Sequence, residues 1–258
     1  MPQIRFRLPC RQEFAQELYR PGVISFARIL WGSLGSGIFL FLLSLCSSTC
    51  DIPLLSPPLA ATCFIGAACP YLHVARPKPA IIGHFVSAIG GLAGIALATV
   101  LASSSPLLIE IKLGLAVTFA AALMQIFDAD HPPAAATAAI PAILPQPVTA
   151  WLFPLHMAWG GMLVVIFTFV WNRVWFEYPV PKLDCSTRWC GLYLQRNEAL
   201  ALLASLIGTL FMALKPISNI LYAFGLLWLF AGTLALMWQH FFSRSRIKNE
   251  PIEKICNI

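Results

Sequence analysis

Asp128-Ala129-Asp130-His131-Pro132-Pro133-Ala134-Ala135-Ala136-Thr137 is the least lipid-like stretch in the core of this chain. Two consecutive prolines constrain the backbone on either side of them. A residue before proline is pushed out of the α region, which disfavours both His131 and Pro132 as helical residues. The reading therefore starts a helix at Pro133, the N1 position that proline suits. Pro132 then stands at the N-cap without a side-chain oxygen to cap with. The N–H groups of Ala134 and Ala135 are left without a local partner. Such an end carries about half a positive charge and can receive an anion. Inside a bilayer an unmet N–H costs several kcal/mol, so a solute, water or a side chain has to fill it.

The rest of the chain sets this motif in lipid. Of 258 residues, 59% are apolar and 11% are charged. Soluble domains carry about 25% charged residues. Mean hydropathy is +0.77. A soluble core in a chain of this size cannot absorb that much apolar surface, and a disordered chain is excluded for the same reason. The reading is an all-α, polytopic transmembrane helix bundle in a lipid bilayer.

Charge-free runs define eight segments. They are 29–50, 52–75, 79–109, 113–127, two within 131–172 joined by a turn at 144–148, 199–214 and 217–239. The fourth is short and borrows residues around Glu110 and Lys112. The second and fifth are short and rich in Pro, Ala and Gly, which suits half-spans. Threaded from a cytoplasmic N-terminus, eight crossings place 15 of the 17 basic residues inside, leaving Lys112 and Lys215 outside. The net charge of +6 is then a topology signal and does not point to nucleic acid. Both termini are expected in the cytoplasm. The organisation is a leader at 1–27, a core at 28–173, an inside loop at 174–198, a C-terminal transmembrane pair at 199–239 and a tail at 240–258. No signal peptide is visible, and a bacterial inner membrane is expected. Phe6, Phe14, Leu18 and Tyr19 allow the leader to lie on the membrane as a helix; a solvated basic leader serves equally. The inside loop, with Trp175, Tyr178, Trp189 and Tyr193, suits a partner or the membrane surface.

An internal repeat runs through the core. Pro57-Pro58-Leu59-Ala60-Ala61-Thr62 matches Pro132-Pro133-Ala134-Ala135-Ala136-Thr137 at an offset of 75, which also places Pro79 on Pro154. The units are 29–102 and 107–172. Each holds three segments, so the second unit is expected to be inverted relative to the first, with interrupted central helices. That is a transporter and channel architecture, with the site where the interrupted helices face each other.

Several residues carry two readings. Asp130 either caps the helix start or faces a cytoplasmic vestibule with Asp128. His131 faces the pathway and can carry a proton. His84, alone in the third segment, is either a helix–helix hydrogen-bonding residue or part of the site. Thr62 and Thr137 either donate to a ligand or bond back to their own helices. Gly90-Gly91, Gly94 and Gly160-Gly161 suit close helix packing. The eight cysteines form no metal pattern; Cys185 and Cys190 lack a second pair, and Cys46 and Cys50 lie near the outer face. No nucleophile–base pair stands out, so no enzyme, cofactor or metal is expected.

His131-Pro132-Pro133 followed by small residues resembles the signature of the HPP family of integral membrane proteins. Pro77-Lys78-Pro79-Ala80-Ile81-Ile82-Gly83-His84 is similar to a second motif of that family, and Trp171-Asn172-Arg173 to its span end. The resemblance covers roughly residues 26–173. Pro79 and Ile82 depart from the family's usual Asn and Gly, and the Asp128/Asp130 approach is more acidic. Characterised members are described as nitrite transporters, so the resemblance implies transport of a small inorganic anion. Its expected site is Pro57, Pro58, Thr62, His84, Asp130, His131, Pro132, Pro133, Ala134, Ala135 and Thr137. A homo-oligomer fits this architecture. The alternatives are a cation or neutral-solute transporter using Asp128 and Asp130, and a membrane scaffold.

Overall fold

The computed structural model describes residues 3–5, 23–54, 56–69, 72–144, 149–175, 188–189, 192–193 and 196–247. Within them the chain is a bundle of eight helices: α1 (Phe26–Thr49), α2 (Ser56–Ala68), α3 (Pro77–Ala102), α4 (Leu108–Ile126), α5 (Pro132–Ile143), α6 (Phe153–Trp175), α7 (Arg196–Met212) and α8 (Asn219–Ile247). A short 3-10 turn, His73–Ala75, precedes α3. Two minimal ribbons, Gln3–Arg5 with Val23–Ser25 and Arg188–Trp189 with Leu192–Tyr193, lie outside the bundle's helices. The expected surface helix of the leader, the turn prolines at 145 and 147, Cys185, Cys190 and most of the inside loop fall outside the described residues.

Five helices, α1, α3, α4, α6 and α8, are long and apolar enough to cross a membrane. The other three segments of the eight-segment reading are shorter. α2 has 13 residues and α5 has 12, so each rises about 18–20 Å against a hydrocarbon core of roughly 30 Å. Both are bounded by proline. Pro57-Pro58 and Pro132-Pro133 open them, and Pro70 and Pro145 follow their ends. Leu144, before Pro145, is already extended, with φ −119° and ψ 143°, as a residue before proline should be.

The bundle exposes large apolar side chains and buries several polar ones within its apolar core. Phe41, Val100 and Ile220 are exposed, while Thr62, His84, His131, Thr137, His156 and Asn172 are buried. Such a distribution suits lipid as the surrounding solvent.

Both three-helix units of the core run long, short, long. Their neighbour relations are α1 with α2 and α6, α3 with α4, α5 and α6, α4 with α5, and α2 with α5 and α6. Exchanging α1 for α4, α2 for α5 and α3 for α6 returns the same set of pairs. The helix ends match as well. Two residues past the end of α1 lies Asp51 at φ 53°, and two residues past the end of α4 lies Asp128 at φ 50°. Each lets the next amide reach back to close the helix, Ile52 N–H to Ser47 C=O at 3.0 Å and Ala129 N–H to Met124 C=O at 2.9 Å, the left-handed cap expected at a helix C-terminus. Each aspartate also meets a lysine, Asp51 with Lys215 at 2.7 Å and Asp128 with Lys78 at 3.6 Å. Both pairs join residues that the eight-segment threading puts on one face. The hydrogen bond from Lys215, and its charge, hold the exposed Asp51 carboxyl below its ordinary range.

α7 and α8 form a closely packed hairpin that leans on α6 and, through α8, on α3. His156 of α6 joins it to the core. Its Nε2 lies 2.7 Å from the Tyr222 hydroxyl and its Nδ1 lies 3.2 Å from the Pro53 carbonyl.

Candidate functional site: a buried histidine–threonine cluster

Four polar side chains meet where α2, α3 and the start of α5 converge. Thr62 lies midway along α2 because Pro57-Pro58 starts that helix close before it. Thr137 holds the equivalent place in α5. His84 lies between them on α3, and His131 immediately precedes α5. All four are at most 2% exposed.

They are bonded to one another. His84 Nε2 lies 2.8 Å from the Thr62 hydroxyl, and His84 Nδ1 lies 2.8 Å from the Thr137 hydroxyl. His131 Nε2 lies 2.9 Å from the same Thr62 oxygen, and His131 Nδ1 lies 2.8 Å from the Val74 carbonyl. The two imidazoles meet edge to face, with centroids 5.1 Å apart. His84 thus links the half-helices of both units by its two ring nitrogens. Buried polar groups require such partners, and in lipid water does not supply them.

Close approach of the backbones makes the cluster possible. Gly83 lies against the His131 Cβ and the Ala129 carbonyl, and Gly91 lies against Ala138 of α5. The expected packing role of the glycines holds at these contacts, and also where Gly90 meets Ala120 and Gly161 meets the Ala80 carbonyl.

The helix start differs from the sequence reading by one residue. α5 begins at Pro132, and its N-cap is His131, extended at φ −138° and ψ 92°. Proline is tolerated throughout the first turn, where the N–H has no intrahelical partner anyway. Both prolines therefore fit inside the helix as N1 and N2. This also corrects the uncapped end. Pro132 and Pro133 have no N–H, and the Ala134 N–H donates to the His131 carbonyl at 2.8 Å. Of the two donors expected to wait for an anion, the Ala134 N–H is already used.

Asp130 is exposed, so the Ala134 amide is met by the His131 carbonyl and not by this carboxylate. Asp128 is also exposed and pairs with Lys78. Neither carboxylate enters the cluster. Pro58, Pro133 and Ala134 are buried behind it, Ala135 is half-buried, and Pro57 and Pro132 face outward. Thr62 meets the histidines and also lies 3.1 Å from its own helix's Pro58 carbonyl, within reach of the back-bond the sequence allowed. The expected set thus separates into Thr62, His84, His131 and Thr137, which converge, and residues that shape the helix starts.

Three contributors escaped the sequence reading. The Val74 carbonyl, which fixes the His131 ring, has no signature because any residue supplies a carbonyl. Ser87, one turn beyond His84, is fully buried and its hydroxyl has no hydrogen-bond partner among the described residues; an uncharged helix interior hides such a residue. Pro141 inside α5 has no N–H to give the Thr137 carbonyl, its partner four residues earlier, and the intrahelical proline was available as a signal.

A family model described as the HPP transmembrane region matches residues 21–180. No curated protein matches the chain, and no solved structure matches it.

Proposed function

This chain belongs to the HPP transmembrane family, and on that basis we propose that it is a transporter of a small inorganic anion, nitrite first, bound at the Thr62–His84–Thr137–His131 cluster. It works as two inverted three-helix units in a bacterial inner membrane, with both termini in the cytoplasm. One observation carries the reading. The polar side chains at the centre of an apolar bundle come from both short helices and converge on one histidine of α3. A scaffold gains nothing from them, since an apolar centre avoids the cost of burying polar groups. Short helices meeting at a polar centre are where transporters of repeated architecture hold their solutes.

The donors that would receive the anion are side chains. Threonine O–H and imidazole N–H groups present protons in a region of low dielectric, where a hydrogen bond to charge is about twice as strong as a neutral one. They now satisfy one another, so an entering anion exchanges these bonds for its own. Asp128 and Asp130, the residues of the cation reading, are exposed and lie outside the buried cluster, which supports the anion reading over it.

Uptake of nitrite into liposomes containing the purified protein tests the proposal. Wild-type protein should accumulate nitrite above protein-free liposomes. His84→Ala, checked for an unchanged melting profile, should lower the rate by roughly tenfold or more, the loss expected when a buried charge-assisted hydrogen bond worth about 1.5–3 kcal/mol goes. A folded wild-type protein that moves no nitrite contradicts it.

A further inference from the structure

We infer that the cluster also binds a proton, at His131 Nε2, and that the Thr62 hydroxyl accommodates it by turning to the Pro58 carbonyl. Counting hydrogens leads there. A carbonyl only accepts, so His131 Nδ1, 2.8 Å from the Val74 carbonyl, carries a hydrogen. In neutral His131 the Nε2 then holds a lone pair, and Thr62 must donate its one hydroxyl hydrogen there. With that hydrogen committed, His84 Nε2 has to donate to the Thr62 oxygen. Neutral His84 therefore has a lone pair at Nδ1, which receives the Thr137 hydroxyl. The result is one directed series: Thr137 to His84, His84 to Thr62, Thr62 to His131, His131 to Val74. The two histidines are opposite tautomers.

The Pro58 carbonyl lies 3.1 Å from the Thr62 hydroxyl oxygen and stays unused by that hydroxyl in the neutral series. When a proton forms a bond to His131 Nε2, that nitrogen becomes the donor to Thr62. The Thr62 hydroxyl turns to Pro58, and His84 keeps both of its bonds. Only a hydroxyl rotation is needed. A proton added at His84 Nδ1 would instead oblige Thr137 to donate elsewhere, and among the described residues Thr137 has no second side-chain hydrogen bond. The geometry thus favours His131 over His84. The series ends at a carbonyl, so a proton bound at His131 Nε2 is not relayed along it and leaves from the same nitrogen. His84 is the titratable group facing the His131 ring. The others on the surrounding elements are Cys63 on α2, His73 and Arg76 about the 3-10 turn, Lys78 on α3, and Asp128 and Asp130 before α5.

The consequence for transport rests on the anion reading. A monoanion entering with this proton crosses without net charge, so the transporter is a proton–anion symporter.

Nitrogen-15 NMR of histidine-labelled protein in lipid nanodiscs tests the proton site without any substrate, with His84→Gln and His131→Gln giving the assignments. The expected result is hydrogen on Nδ1 of His131 and on Nε2 of His84 at high pH. On acidification His131 should gain the second hydrogen first. Thr62→Ser should reproduce this pattern, and Thr62→Val should alter the tautomer of His84. Identical tautomers, His84 protonating first, or Thr62→Val titrating like wild type would each overturn the proton site. A pH dye inside wild-type liposomes tests the coupling. One proton entering with each nitrite supports it, and nitrite uptake without proton entry overturns the coupling while leaving the transport reading intact. If no nitrite moves, the transport reading fails and the NMR result still decides the proton site.

Discussion

A methyl group added at position 83 would lie 2.7 Å from the His131 Cβ and 3.0 Å from the Ala129 carbonyl oxygen. Neither neighbour is the tip of a flexible side chain, so α3 and the start of α5 would have to separate. Overpacking of this kind costs about 1–3 kcal/mol. Gly83→Ala should therefore lower the melting temperature by several degrees, and by displacing His131 it should reduce transport more than stability alone explains. Differential scanning fluorimetry alongside uptake checks both, and an unchanged melting point would show that α5 yields freely. At this scale the sequence was informative about side chains and silent about backbone. Thr62, His84, His131 and Thr137 stood out because polar groups in an apolar chain need a reason. The Val74 carbonyl and the tautomers it fixes depend on a fold that brings the turn before α3 onto α5, and no residue type announces that.

The short helices are defined at both ends by chemistry that differs in legibility. Their starts were readable from the double prolines to within two residues for α2 and one for α5, because the first turn accommodates proline in spite of the bias against helical backbone before it. The end of α5 was marked in the sequence by Pro145, whereas the position of α2 within the bundle required tertiary information. α2 stops inside the protein, where its last carbonyls have no helical partner. Asn172, at the far end of α6, donates its side-chain N–H to the Gly66 carbonyl at 2.9 Å and is fully buried. This gives the Trp171-Asn172-Arg173 motif a physical role, holding α2 at its depth beside α6. Asn172→Leu removes the donor and leaves the carbonyl buried, which costs about 1–3 kcal/mol. The variant should melt lower in a thermal-shift assay, while Asn172→Gln should recover only part of the loss because its longer side chain misplaces the amide. A melting point equal to wild type in Asn172→Leu would mean that the amide bond does not anchor α2.

Across the whole molecule the two units repeat their neighbours, their left-handed aspartates and their half-helix threonines, yet the cluster itself is not symmetric. The offset of 75 that carries Thr62 onto Thr137 carries His84 onto Trp159 and Ser56 onto His131. The offset pairs the two threonines and not the two histidines, and both half-helices reach the same histidine, His84. The matching prolines and threonines were legible in the sequence. The placement of α7 and α8 was not, since nothing in their apolar sequence states that Tyr222 and Lys215 meet His156 and Asp51. The proposed transport requires that the buried cluster lie on the solute pathway. Cysteine placed at Thr62 and, separately, at Thr137, in a chain whose eight native cysteines are replaced, tests that requirement with a membrane-impermeant thiol reagent. Both positions should react during transport despite their burial, and nitrite should slow the reaction. Uptake that continues while neither cysteine reacts from either side of the membrane would contradict a pathway through the cluster.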